Sequence, residues 1–296
     1  MSLEEWKHSG DFHAWRTGSS IFYRRSDISD ELLLCLHGFP TASYDYRSVW
    51  EPLAQKFPLL AFDMIGYGFS SKPEGLDYTT FVQADILELL LKELGVRRVH
   101  ILAHDYGNTI VQELLARQSE RGLDFAIQTI CMLNGALFPE NHRPIFVQKL
   151  LISRVGKLVG QLTPDRMFIN GLASVFGPAT QPSASELGEY LTLLKHNDGK
   201  RILHKLIRYM KERDGYRERW VPPLTRLDVP FLFINGSADP VSGKHLVTRL
   251  REIAPHLTNI VELPGIGHFP HLEAPEEVLS NFMHFHGFDP IPAKPC

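Results

Sequence analysis

Asp105, Asp239 and His268 are of the types that divide nucleophilic attack, orientation and proton transfer among themselves, and each lies just beyond a short apolar run. Asp105 sits in Val99-His100-Ile101-Leu102-Ala103-His104-Asp105-Tyr106-Gly107-Asn108, with small residues two before and two after it. A strand that enters a helix through so sharp a turn pushes its central side chain into a cleft, and here a carboxylate stands where serine is usual. It is already ionised at neutral pH and needs no base to become a nucleophile, which suits attack on saturated carbon. Alone, the same Asp is equally well read as a helix cap. His268, in Gly265-Ile266-Gly267-His268-Phe269-Pro270, is one of 14 histidines and would pass for a surface or core residue. Order decides both: nucleophile, then acid, then histidine is the order in which such a site is assembled. Asp239, in Asn235-Gly236-Ser237-Ala238-Asp239-Pro240, is the acid that would orient His268.

Upstream, His37-Gly38-Phe39-Pro40 follows the run Leu32–Leu36. A loop there supplies one oxyanion N–H and the residue after the nucleophile supplies the other, so Phe39 and Tyr106 are the expected donors. The chemistry expected is an alkyl ester on Asp105, which water activated by His268 then hydrolyses.

Other chemistries fit less well. Gly66-Tyr67-Gly68-Phe69-Ser70-Ser71 follows an apolar run, but it lacks the third glycine of a dinucleotide fingerprint. His268 with His271, or His284 with His286, have no Cys beside them and no recognised zinc spacing, so neither a metal nor another cofactor is expected. No Gly-x-Ser-x-Gly occurs, which disfavours a conventional serine esterase. Cys35, Cys131 and Cys296 suggest neither a paired framework nor a metal site, as expected of a reducing compartment.

The elements that would position these residues are legible as alternating signals. Leu32–Leu36, Leu59–Phe62, Val99–Ala103, Ile127–Leu133, Pro230–Ile234 and Ile260–Leu263 have strand length and are mostly apolar, as in a parallel sheet covered on both faces. Helices are expected between them. One should start at a capping box formed by Thr80 and Gln83, bury Val82, Ile86, Leu89, Leu90 and Leu94, and stop at Gly95. Another should begin near Gly107 and carry Ile110, Val111, Leu114 and Leu115, and a third should span Pro275–His286. Between Leu137 and Pro223 the alternation gives way to helical pieces at His142–Leu158, Pro164–Val175, Ser183–His196 and Arg201–Arg213. The expected fold is therefore α/β, a mostly parallel central sheet flanked by helices, with a helical cap of about 85 residues inserted after its sixth strand. The expected division is core at 1–136, cap at 137–222 and core again at 223–296.

Composition narrows the partners. A net charge of −3 without long single-sign blocks leaves no electrostatic footprint for nucleic acid or anionic membrane. No apolar run approaches the ~20 residues of a membrane span, and Met1–Arg16 has no signal-peptide core. A cytoplasmic protein acting on a small apolar or amphipathic organic substrate with water is the expectation.

These motifs, with Asp63-Met64-Ile65-Gly66-Tyr67-Gly68-Phe69-Ser70, resemble the α/β-hydrolase branch that contains epoxide hydrolases and haloalkane dehalogenases. Asn134-Gly135, Phe138-Pro139-Glu140, His142-Arg143-Pro144, Val175-Phe176-Gly177-Pro178 and Asn197-Asp198-Gly199 extend the resemblance over nearly the whole chain, and in them it is most similar to the mesoderm-specific transcript family. The resemblance implies an α/β-hydrolase fold and an Asp nucleophile. Dehalogenases of this branch hold halide with a Trp directly after the nucleophile and a second Trp or an Asn, positions occupied here by Tyr106 and Phe39. Epoxide hydrolases protonate the opening ring with cap tyrosines, for which Tyr190, Tyr209 and Tyr216 are the candidates. Some dehalogenases carry the triad acid after the strand where this chain has Asn134, which leaves Asp239 as the acid. Epoxide opening is therefore the first expectation and haloalkane dehalogenation the second. A ligand-binding or signalling module with vestigial chemistry is the alternative of another class, since fold does not fix function.

Overall fold

The computed structural model describes residues 1–16 and 18–289; Cys296 lies outside them. Eight strands form one sheet: β1 (Asp11–Ala14), β2 (Ser20–Arg25), β3 (Glu31–Leu36), β4 (Leu59–Phe62), β5 (Arg98–Ala103), β6 (Ala126–Leu133), β7 (Phe231–Gly236) and β8 (Ile260–Leu263). Their order is β1-β2-β4-β3-β5-β6-β7-β8. β1 and β2 pair antiparallel with each other and β2 with β4, and every other neighbour is parallel. The six expected strands are β3 to β8. β1 and β2 carry no long apolar run to announce them: β1 is an edge strand, mostly exposed, and β2 ends in Arg24 and Arg25.

Leu32, Leu34 and Ile101 face one buried cluster, and Leu33, Cys35 and Leu102 face the other. Strands covered on both faces read as continuous apolar runs, because neither face meets water. The strand order reverses at β3, which lies between β4 and β5. In an open parallel sheet, the carboxyl ends at such a reversal leave a crevice where ligands bind. The His37-Gly38-Phe39-Pro40 loop leaves β3 there, and the Asp105 turn leaves β5.

The helix after β4 spans Thr80–Glu93, but its cap is Thr79, whose side chain accepts from the Val82 N–H. Thr80 and Gln83 form no capping box. The Thr80 hydroxyl donates to Glu212 Oε2, and the Gln83 amide bridges the N–H and carbonyl of Ile65. Leu89, expected on the buried face, is 37 % exposed. The helix Tyr106–Arg121 buries Ile110, Val111, Leu114 and Leu115 as expected, and the last helix spans Pro275–Phe285.

Between β6 and β7 the described residues form helices and turns without a strand. Asn197 and Asp198 both take left-handed conformations (φ 51° and 56°), which Asn and Asp tolerate better than most residues. The insertion is tied to the core by Glu113, which is wholly buried. Its carboxylate accepts from Arg117 Nε at 2.7 Å, Arg219 Nε at 2.7 Å and Trp220 Nε1 at 2.8 Å, the last two from the helix Arg217–Leu224. Burial alone would raise the Glu113 carboxyl; Arg219, Arg117 and Trp220 hold it below its usual value. Among the described residues no helix is long and apolar enough to cross a membrane.

Removing the carboxylate leaves Arg117 Nε and the buried Trp220 Nε1 without their acceptor, although Arg117 Nη1 keeps Asp85 and Glu88. Glu113→Ala is therefore expected to destabilise the fold by about 1–3 kcal/mol in urea titration, the cost of buried donors left unsatisfied. A change below about 0.5 kcal/mol, the range of ordinary surface substitutions, would contradict this anchoring role.

Candidate active site

The chain bends at Asp105 through φ 45° and ψ −106°, a region disfavoured for a residue with a side chain. Close packing holds it there. A Cβ on Gly107 would lie 2.4 Å from the Leu36 carbonyl oxygen, and one on Gly135 would lie 2.4 Å from Asp105 Cα. The Asp105 N–H donates to the Asn134 carbonyl at 2.7 Å. Its side chain makes no capping bond to the helix that follows. The helix-cap reading therefore fails, and the carboxylate points elsewhere.

One of its oxygens, Oδ2, accepts from the Phe39 N–H at 3.0 Å. The other, Oδ1, lies 3.6 Å from Arg213 Nη2. Tyr106, the second expected donor, opens the helix, and no hydrogen bond links its N–H to Asp105 among the described residues. Burial would raise the Asp105 carboxyl, but the charges of His268 and Arg213, then His104 and the Phe39 N–H, hold it below its ordinary value.

His268 and Asp239 meet as the motif order predicts: His268 Nδ1 donates to Asp239 Oδ2 at 2.7 Å. Asp239 also accepts from Asn134 Nδ2 at 2.9 Å, the Ser242 hydroxyl at 2.6 Å and the Val241 N–H at 2.7 Å. Although burial works against its ionisation, His268 and these donors bring Asp239 down to about 2. Burial likewise disfavours the His268 imidazolium, but Asp239, with help from Asp105, raises it to about 9. The resting site thus holds two carboxylates, an imidazolium and a guanidinium.

The histidine loop is clamped from two sides. The Glu273 carboxylate accepts from the Gly177, Gly267 and Phe269 N–H groups at 2.8, 2.8 and 2.9 Å. His104 Nε2 sits 2.8 Å from the His268 carbonyl oxygen and donates to it. Gly177 belongs to the Val175-Phe176-Gly177-Pro178 motif, whose value here is structural: it docks the insertion on the histidine loop. Beside the site lies an apolar cleft, lined by Phe39 and His268 and by side chains of the insertion, among them Ile145, Leu151, Phe168 and Leu172. Its apolar lining suits a small organic molecule.

A chain with this sheet and this elbow has recognisable kin. An alpha/beta hydrolase family model, Abhydrolase_6, matches residues 33–281. The chain belongs to that family. It is 40% identical over 294 residues to the mesoderm-specific transcript homolog protein of Bos taurus, covering 96% of this chain and 88% of that one. Its fold matches haloalkane dehalogenase DbeA from Bradyrhizobium elkani with a TM-score of 0.75 at 24% identity, over 91% of this chain and 94% of that one. A mutant epoxide hydrolase from Bacillus megaterium matches with a TM-score of 0.72 at 20% identity, over 94% and 100%.

For an alpha/beta hydrolase, the remaining question is what surrounds the elbow. Of the three expected tyrosines, one reaches it. Tyr209 is fully buried, with its ring 4.4 Å from that of Tyr106 and 5.8 Å from that of Phe39. Its hydroxyl has no partner among the described residues. Tyr190 is buried elsewhere, its hydroxyl accepting from Arg47 Nη1 at 2.9 Å. Tyr216 is 43% exposed and packs on Phe81 and Trp220. These are corrections to the expected donors: the helix that carries Tyr190 and the turn that carries Tyr216 direct those two side chains toward other partners.

Tyr67 was not expected. It lies 6.2 Å from Tyr106 ring to ring, and its buried hydroxyl is also unpartnered among the described residues. Its only sequence signal is the Asp63–Ser70 motif, whose Asp63 accepts from the Ser43 and Phe69 N–H groups and so stabilises the turn. Arg213 was missed as well, because one Arg at the end of an expected basic helix carries no spacing signal. Asp45, His104 and His271 bring donor atoms within 4.8 Å of one another in the interior and could hold a metal ion. None of these three is part of the Asp239–His268 pair.

Because Asp105 helps to hold the His268 proton, Asp105→Asn should lower the His268 pKa from about 9, read by imidazole NMR. A raised histidine pKa adds stability that is fully present below about pH 6.5 and lost as pH rises through the folded value. The Asn variant should lose that stability at lower pH than the parent. An unmoved titration would contradict the coupling.

Proposed function

We propose that this alpha/beta hydrolase uses Asp105 as its nucleophile, forms an alkyl ester on it, and opens epoxides to diols. The observation that carries this reading is a carboxylate at the elbow that leaves its own helix uncapped and rests Oδ2 on the Phe39 N–H. Oδ1 is then the oxygen free to attack.

The proton inventory of the site closes around a cycle. Oδ1 attacks a ring carbon, the ring C–O bond breaks, and its electron pair goes to the oxygen, which takes the Tyr209 proton. Asp105 is now a neutral ester, so His268 has lost one of the two carboxylates that held its proton. The proton passes to the Tyr209 phenolate and leaves a neutral imidazole. His268 next deprotonates water, whose oxygen adds to the ester carbonyl. The tetrahedral oxyanion meets the Phe39 N–H, and the Tyr106 N–H completes the pair once an oxyanion grows there. Collapse expels the alkoxide, which takes a proton from His268, and the new Asp105 carboxyl returns one to His268. Asp239 serves throughout as the fixed partner of Nδ1.

Residues 137–222 act as the cap. Their apolar side chains wall the cleft and keep water away while the ester forms. Halide release is the weaker reading, because the side chains of Phe39 and Tyr106 bring neither an indole N–H nor a carboxamide N–H to a departing halide.

The test is intact-mass analysis after exposure to small epoxides and bromoalkanes, with diol and halide assays alongside. His268→Gln is expected to gain the mass of one epoxide, and Asp105→Asn none. The wild-type chain should form diol without halide. Turnover by the wild type without an adduct in His268→Gln would overturn the division of labour. Halide release without diol would transfer the site to dehalogenation. No turnover in any arm, with ligand affinity unchanged in Asp105→Ala, would make the chain a binding module.

A further inference from the structure

The guanidinium of Arg213 is the least expected group at the elbow. It is 3% exposed and comes from the helix Tyr209–Gly215 of the insertion. Arg213 Nε donates to the Thr109 hydroxyl at 2.7 Å, and Nη2 donates to the Asp105 carbonyl at 3.2 Å. Nη1 donates to His142 Nδ1 at 3.2 Å. Burial, with Arg213 beside it, lowers His142 to about 4, so His142 is neutral and accepts that bond. The guanidinium also lies over the Tyr209 ring, 4.7 Å from its centroid. Three partners thus fix its plane between the nucleophilic carboxylate and the tyrosine.

A cation in this position has a cost as well as a use. Beside Oδ1 it stabilises the ionised nucleophile and so weakens it. Attack on a neutral epoxide removes the charge from Asp105, however, and leaves Arg213 buried without a counterion, a costly state. That cost is avoided if the displaced charge comes to rest next to Arg213, and the group on its other side is the Tyr209 phenol. The same two neighbours oppose each other at Tyr209: burial, then Asp105, makes the phenol hard to ionise, while Arg213 makes it easier. Esterification of Asp105 removes the first of these charges and keeps the second.

Building on the epoxide-opening reading above, we propose that Arg213 is a further catalytic residue that passes its ion pair from Asp105 to the Tyr209 phenolate and ring oxygen during alkylation. It thereby stabilises the anion formed when the C–O bond breaks. It has no part in the hydrolytic half, in which the oxyanion grows at the Phe39 N–H on Oδ2. Substrates whose leaving oxygen departs as a poor, strongly basic anion depend on it most.

The experiment separates the two half-reactions. In a His268→Gln background, adduct formation with an epoxide is followed by rapid quench and intact mass on the pH-independent plateau, where Asp105 is ionised. Adding Arg213→Gln should slow alkylation about 100-fold, the scale of losing one preorganised charge donor. Arg213→Lys, which keeps the charge without the fork, should recover part of the rate. In Arg213→Gln alone, decay of the ester should stay within a factor of three of the parent. Because the two groups act together, Tyr209→Phe combined with Arg213→Gln should cost little more than either alone. Circular dichroism checks folding, and if the Gln variant does not fold, the Lys variant and Tyr209→Phe carry the same comparison. Equal alkylation with and without Arg213, or strictly multiplicative effects with Tyr209→Phe, would overturn this role and leave the Asp105 ester intact. Absence of any adduct in His268→Gln with Arg213 present would overturn the underlying epoxide reading instead.

Discussion

The structure is organised around one awkward fact, an ionised carboxylate at a turn that no Asp adopts by preference. A non-glycine residue in so sparsely populated a region costs on the order of 1–3 kcal/mol, and it persists only where its surroundings over-determine it. Here they do. β3 packs against the turn so closely that Gly107 has no room for a Cβ beside the Leu36 carbonyl, and Gly135 has none beside Asp105 itself. The Asn134 carbonyl takes the Asp105 N–H from below. Three parallel strands, β3, β5 and β6, therefore meet at a single residue, and the parallel sheet is what brings their carboxyl ends together.

Burying that charge creates the need that the rest of the site meets. The Phe39 N–H, the His268 imidazolium and the Arg213 guanidinium each offset part of the desolvation of Asp105, and they come from three separate regions of the chain. His268 is in turn held by Asp239, and Asp239 by Asn134, Ser242 and the Val241 N–H. Glu273 and His104 fix the backbone that carries His268. The insertion is part of this arrangement. It provides Arg213 and Tyr209 to the elbow, docks Gly177 on the Glu273 clamp, and is anchored at its far end by Glu113. Rigid attachment at those points gives the guanidinium a defined position, which a loosely tethered cover would not.

Much of this was legible in the chain itself, for identifiable reasons. Six strands were readable because burial on both faces makes a strand apolar along its whole length, and the two that were not, β1 and β2, are an exposed edge and a strand ending in arginines. One helix start was read one residue late, at Thr80 in place of Thr79, because adjacent hydroxyls satisfy the same local rule. Only the presence of Glu212, 132 residues later in the chain, draws Thr80 away from the capping position. Tyrosines were countable but not placeable: Tyr190 and Tyr209 stand on helices and Tyr216 in the turn between two, and which of them faces Asp105 depends on how those elements pack on the sheet.

The sequence by itself determined the positions of strands β3 to β8 in a mostly parallel sheet, the elbow at Asp105 and the Asp239–His268 pairing. Each depends on local signals: apolar runs, small residues around a turn, and the order of motifs along one sheet. Tertiary structure alone decided that Asp105 leaves its helix uncapped, that Tyr209 and Tyr67 are the buried hydroxyls near it, and that a guanidinium 108 residues away in the chain lies against its carbonyl. The physical reason is that charge compensation acts through space. Any arginine at the right point in three dimensions satisfies a buried carboxylate, so no spacing rule in the chain marks the one that does.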